Sequence, residues 1–168
     1  SMSEVDFSYA DLTNADLSDS NLLGANLVGA DLEGANLSNA NLSGADLSGT
    51  NLKNANLKNS KLFGTKLFGA ILENADLSFS QIDGSNFSGA VMQNAILTGV
   101  NLSEGLFDGV NLSNTKLNDR DLSKIKFHNA ILMHVDLTNS DLSNADLSNA
   151  YLNSASLMNA NLQNANLF

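Results

Sequence analysis

Few side chains in this sequence could do chemistry near neutral pH. It has two histidines, His128 and His134, and no cysteine. A histidine beside a carboxylate can act as an acid and base pair. If residues twenty apart are neighbours, as argued below, His128 falls near Asp108 and His134 falls on a corner. No nucleophile or third orienting group accompanies either, so no catalytic residue is assigned. The many aspartates are spread out, without the clustered oxygen ligands a hard cation requires. No metal and no cofactor are expected. The one dense group, Asp119-Arg120-Asp121, carries its own counter-charge.

The elements that position these groups are set by one period. Every fifth residue from Phe7 to Leu167 is apolar: of 33 positions, 27 are Leu and four are Phe, the others being Ile82 and Met92. Two residues earlier stands a small residue, Ala at 18 positions, Ser at five and Thr at three. A five-residue step turns an α-helix by about 140°, which would smear the Leu around the cylinder, so a long helix is rejected. In an extended segment, residues two apart share a side, so each unit reads as a short strand burying a small residue and a Leu. Two residues after each Leu, from Tyr9 to Asn164, 24 of 32 positions are Gly or Asn. These tolerate the positive φ of tight turns and place a corner after every strand.

Composition agrees with a packed repeat: 168 residues, 43% hydrophobic, with no Trp, Cys or Pro. The absence of cysteine gives no sign of an oxidising compartment. No run of 18 apolar residues and no basic leader precede the repeat, which argues against a transmembrane helix or signal peptide and for the cytoplasm. The formal charge of −10 disfavours direct binding to nucleic acid or anionic membranes. It is uneven: from Glu4 to Asp46 there are eight acids and no bases, and all eight bases lie between Lys53 and Lys126.

Units such as Ala30-Asp31-Leu32-Glu33-Gly34 and Ala145-Asp146-Leu147-Ser148-Asn149 resemble the pentapeptide repeat proteins along essentially the whole chain. The resemblance implies an all-β fold, a right-handed quadrilateral β-helix (β-solenoid) in which four units make one coil. About eight 20-residue coils would stack to roughly 40 Å at a strand spacing of ~4.8 Å. The expectation is a single domain over residues 1–168, with 1–4 a flexible leader. In this register Phe7, Phe87, Phe107 and Phe127 share one column, and acids lie beside five lysines: Asp46 by Lys66, Glu33 and Glu73 by Lys53, Glu104 by Lys124, Asp136 by Lys116 and Asp146 by Lys126. Such exposed pairs are worth about 0–1 kcal/mol each, whereas a buried Leu contributes roughly 1.5–3 kcal/mol.

Departures from the repeat mark candidate sites. Arg120 stands at an inward position, where an unpaired guanidinium would be costly. Either a local bulge frees it to pair with Asp119 or Asp121, or it shapes a binding site. Gly105 thins the neighbouring core and extends the irregular stretch across 104–128. On one side, Ile71, Val91, Ile131 and Tyr151 replace the usual Asp or Asn before Leu, with Met133 beside them. Such an apolar row is either an interaction surface or simply stacked β-formers.

Two functional readings follow. In the first, the chain is a non-enzymatic interaction module or scaffold that presents this face to a protein partner, with a homodimer through the C-terminal coil as a possible assembly. In the second, it resembles the quinolone-resistance members of the family, which implies a DNA-mimicking protein that binds DNA gyrase/topoisomerase. Asp11, Asp16 and Asp31 would then stand in for phosphates.

Overall fold

The computed structural model describes residues 2–168, and no helix occurs among them. Most units begin with Asp, Asn or a replacement in a parallel bridge to the residue twenty positions on, as in Asp11 with Asp31 and Asp31 with Asn51. The twenty-residue step establishes four five-residue sides per coil. We name each side by its first bridged residue: the Asp6, Asp11, Asp16 and Asn21 sides.

A repeating set of hydrogen bonds builds the stack. The Leu12 amide donates to the Asp31 carbonyl at 2.8 Å, Asn14 to Glu33 at 2.8 Å, and Asp31 back to Ala10 at 2.9 Å. Corners close within the unit, as where the Ala15 amide donates to the Leu12 carbonyl at 3.0 Å. The third residue of each turn takes positive φ from Glu4 to Asn164, with Glu104 the one exception. The residue before Leu has a local task as well. Its side-chain oxygen accepts the amide two residues on, as in Ser8 to Asp6 at 2.9 Å, and this Asx geometry explains the preference for Asp and Asn.

Inside, Leu and Ala from Leu22 to Leu147 form one buried column. Thr50 and Thr65 fit the small position by donating to the Leu27 and Leu42 carbonyls, each at 2.8 Å. Phe87 and Phe107 stack with centroids 5.3 Å apart, and Phe127 continues the column at 5.9 Å. Residues 2–4, expected to be part of a flexible leader, join the ladder: Met2 donates to Asn21 and Glu4 to Leu23. Ser1 lies outside the described residues.

Of the five acid and lysine neighbours expected from the register, two reach ion-pair distance: Lys66 with Asp46 at 3.1 Å and Lys53 with Glu73 at 3.0 Å. Lys58 with Asp76 at 3.1 Å was not foreseen, because its partner lies diagonally on the coil above, two residues from the position directly above. Lys116, Lys124 and Lys126 form no ion pair among the described residues and instead line openings in the stack.

Candidate functional surfaces

The histidines do not assemble a catalytic group. His128 Nδ1 lies 2.7 Å from Ser148 Oγ, not on Asp108, and Ser148 Oγ donates to Asp146 Oδ1 at 2.6 Å. The serine proton is therefore directed to the carboxylate and Nδ1 must donate to the serine, so in this arrangement His128 is not the base of Ser148. His134 sits at a corner with φ of 58°. Among the described residues no three His, Cys, Asp or Glu side chains gather as a metal site.

The apolar row lies along the Asp11 side. Ile71 bridges Val91 and Ile131 bridges Tyr151, with Asn111 joining the two pairs. Ile71 is 39% exposed and Tyr151 60%, while Val91 and Ile131 are half-buried and Met133 stands exposed at the next corner. This is also the side whose bridges run unbroken from Asp11 to Tyr151. Further apolar exposure was not legible as a row: Leu23, Phe63 and Phe68 on other sides, and Tyr9 and Phe79 at corners. Tyr9 and Phe79 cover Gly29 and Gly99 one coil on, where an added Cβ would fall 2.7 Å and 2.4 Å from ring carbons.

On the other three sides the ladder breaks. No bridge joins Ile96 to Lys116, Asn101 to Gln81 or Asp121, or Leu106 to Lys126. Two residues account for the local geometry. At Gly105 a Cβ would stand 2.6 Å from the Phe107 ring, so the missing side chain makes room for that ring rather than thinning the core. The chain beside it is offset, with the Gly84 amide donating to Glu104 where the register calls for Ser103. Arg120 cannot occupy the small inward position, so its guanidinium leaves between the coils and donates to the carbonyls of Val100, at 2.6 Å, and Leu97. Neither Asp119 nor Asp121 is its partner. Half-buried there, its guanidinium is pulled below its usual pKa by desolvation.

The break opens two clefts. One of about 340 Å³ lies on the Asp16 side among Asn94, Ile96, Leu97, Thr98, Asn114 and Lys116. The other, of about 170 Å³, is lined by Ser103, Glu104, Gly105, Leu106, Lys124 and Lys126. Sequence reasoning flagged Gly105 and Arg120 but missed the clefts. The available signals were Ile96 and Leu106 in place of Asp or Asn, and Glu104 at a corner.

The acidic positions Asp11, Asp16 and Asp31 are exposed on the first coils. Asp11 accepts Thr13 Oγ1 at 2.5 Å and the Thr13 amide at 3.1 Å, and Asp16 accepts Ser18 Oγ at 2.7 Å. These side-chain hydrogen bonds, then the backbone ones, hold both carboxyls below the usual aspartate range. Asp31 accepts the Glu33 amide at 3.1 Å and Asn51 Nδ2 at 3.0 Å.

Comparison with known proteins agrees with this architecture. The family profile described as pentapeptide repeats matches in eight copies, over residues 1–39, 30–69, 40–78, 70–109, 106–144 and 130–167. Among solved structures, the chain is similar to HetL, a pentapeptide repeat protein involved in heterocyst differentiation regulation from the cyanobacterium Nostoc sp. strain PCC 7120. Identity is 31%, coverage is 99% of this chain and 80% of that one, and the TM-score is 0.52. It is also similar to QnrB1, a plasmid-mediated fluoroquinolone resistance protein, at 20% identity, with 99% and 89% coverage and a TM-score of 0.64. That second likeness concerns the fold alone. No curated protein matches the sequence.

Proposed function

This chain belongs to the pentapeptide repeat family, and from that premise we propose that it is a non-enzymatic protein interaction module, a rigid right-handed rod of about eight coils that offers a flat side to a protein partner. The observation that carries this reading is the Asp11 side. It combines an uninterrupted ladder from Asp11 to Tyr151 with Ile71, Val91, Ile131 and Tyr151 where the repeat most often places Asp or Asn. An apolar row on a stiff support loses little freedom on docking, and exposed apolar clusters of this kind serve as interaction surfaces. Met133 widens the row at its corner. In the same reading two copies pair through their last coils, where Leu152, Leu157 and Leu162 are only partly buried and Leu167 is 51% exposed.

The test is Ile71→Asp combined with Ile131→Asp. The double variant is expected to keep a cooperative β-rich unfolding transition and to lose a partner captured by the unaltered protein. Capture that survives both charges contradicts the assignment of this side.

A second reading, competition with DNA for a type II topoisomerase, draws on the first coils. Asp11 and Asp16 are held ionised by their Thr13 and Ser18 hydrogen bonds, and no base lies before Lys53. Regularly spaced carboxylates without cations are what phosphate mimicry needs. Inhibition of gyrase supercoiling that is relieved by Asp11→Lys, Asp16→Lys and Asp31→Lys would favour it. No inhibition at micromolar protein would remove it.

A further inference from the structure

The broken stretch of the ladder holds unpaired hydrogen-bonding groups on both of its lips. In the regular coils, amides such as Leu57 and Asn59 donate to the coil above, and amides such as Asp76 donate to the coil below. At the break, the corresponding amides of Leu97, Gly99, Leu102, Glu104 and Phe107 on one lip have no protein acceptor among the described residues. The same is true of Lys116, Asp121 and Lys126 on the other lip. Backbone N–H groups next to a core need a partner, and an open sheet edge is a template for another strand.

Charge at the break is equally distinct. Of the four lysines in the regular coils, Lys53, Lys58 and Lys66 each hold a carboxylate at 3.0–3.1 Å, and only Lys61 has no ion pair among the described residues. Lys116, Arg120, Lys124 and Lys126 all lie on the far lip, and none has an ion-pair partner among the described residues. Arg120 is committed to two carbonyls, and Lys116 acts on Asp136 only at longer range. Half of the eight bases of this chain of formal charge −10 thus lie on the far lip without an ion pair, with Lys116 at the larger cleft and Lys124 and Lys126 at the smaller. Lys116 lines the larger cleft together with Ile96, which is 47% exposed, so a cation, an apolar side chain and free amides converge there. Its volume of about 340 Å³ is at the lower end of the range for ligand sites.

We propose that this cleft on the Asp16 side is a strand-addition site that takes a short, acidic, extended segment of a partner protein. The segment's carbonyls receive the amides of Leu97, Gly99 and Lys116. One of its carboxylates faces Lys116, and an apolar side chain on the same face of the segment lies over Ile96. Main-chain pairing gives affinity in this mode, and the alternate side chains give specificity. Arg120 keeps the lips apart by occupying the Val100 carbonyl that the Asp121 amide would otherwise take. The site is separate from the apolar row of the Asp11 side and stands or falls independently of it.

The probe is an N-acetylated, C-amidated hexapeptide alternating Glu and Val, titrated into the whole chain, with a Lys and Val hexapeptide as comparison. Binding of the acidic peptide is expected in the range of about 10–500 μM. Amide exchange at Leu97, Gly99 and Lys116 is expected to slow about tenfold or more. Lys116→Glu should weaken binding about tenfold, whereas Lys61→Glu, the same charge change in the regular coils, should stay within about twofold. An unchanged melting transition of the Lys116→Glu variant separates lost binding from lost fold. The proposal is overturned by no binding at about 1 mM peptide, by equal binding of the lysine peptide, or by an equal loss in Lys61→Glu. It is also overturned if inorganic phosphate competes fully and the three amides stay unprotected, which would define an anion site instead.

Discussion

The coils between Asn26 and Asn86 and the stretch from Ile96 to Lys126 are built from the same five-residue unit, yet they hold together differently. In the first, all four sides carry bridges apart from the Gln81 to Asn101 step at its upper limit, the small position is Ala, Ser or Thr, and three of the four cations are paired, Lys61 being the exception among the described residues. In the second, only the Asp11 side passes through, by way of Val91, Asn111 and Ile131. The Leu column continues across both, with Leu57 at 0% and Leu102 at 2% exposure. Core filling and backbone pairing are therefore separable in this fold. Nearest-neighbour contacts let a solenoid tolerate a local fault, because each coil leans only on the ones beside it.

The largest expected effect compares core truncations. Leu57→Ala, between two fully bridged coils, is expected to cost about 2–5 kcal/mol in chemical denaturation, since its neighbours cannot relax into the void. Leu102→Ala is expected to cost about 2 kcal/mol or less, because the open coil above can adjust. Equal losses would mean that the break does not loosen its surroundings.

Next in size are two glycines. Gly105→Ala puts a Cβ against the Phe107 ring and is expected to cost about 1–3 kcal/mol, most of it recovered by adding Phe107→Leu. Gly44 has free space around it and a φ of 66°, so Gly44→Ala is expected to cost roughly 1–2 kcal/mol through backbone strain. Phe107→Leu should not rescue it. Rescue of both, or of neither, would break the distinction between packing and backbone causes.

How much of this was legible in the sequence follows from what each feature depends on. The period, the Leu column and the corner rule depend on residues five apart in one chain, and units such as Ala30 to Gly34 display them directly. The register of twenty also placed Phe87, Phe107 and Phe127 correctly over one another. Arg120 and Gly105 stood out as wrong residues for their positions. The direction Arg120 takes was not legible, because it depends on which carbonyls the neighbouring coil leaves free. Lys58 with Asp76 was missed for a related reason: the pair lies 18 residues apart, diagonally on one side, where side-chain reach decides. The role of Gly105 was misread because a missing Cβ suggests a void until the ring that fills it is located.

The smallest expected effect concerns charge. Glu73→Gln removes the partner of Lys53 and is expected to cost less than about 1 kcal/mol, falling further at high salt. Lys116→Gln, with no ion pair to lose, should leave the unfolding midpoint unchanged. A loss at Lys116 as large as that at Glu73 would place a structural partner at the break.

The central claim is that backbone pairing is continuous on one side and interrupted on three, and residue-resolved amide hydrogen exchange of the whole chain tests it most directly. The account predicts that Leu97, Leu102, Phe107, Asp121 and Lys126 exchange at least about a hundredfold faster than Leu37, Leu42, Leu47, Lys61 and Lys66, their counterparts in the regular coils. Asn111 and Ile131, on the Asp11 side at the same height, should stay protected. Uniform slow exchange at all of these amides would contradict it.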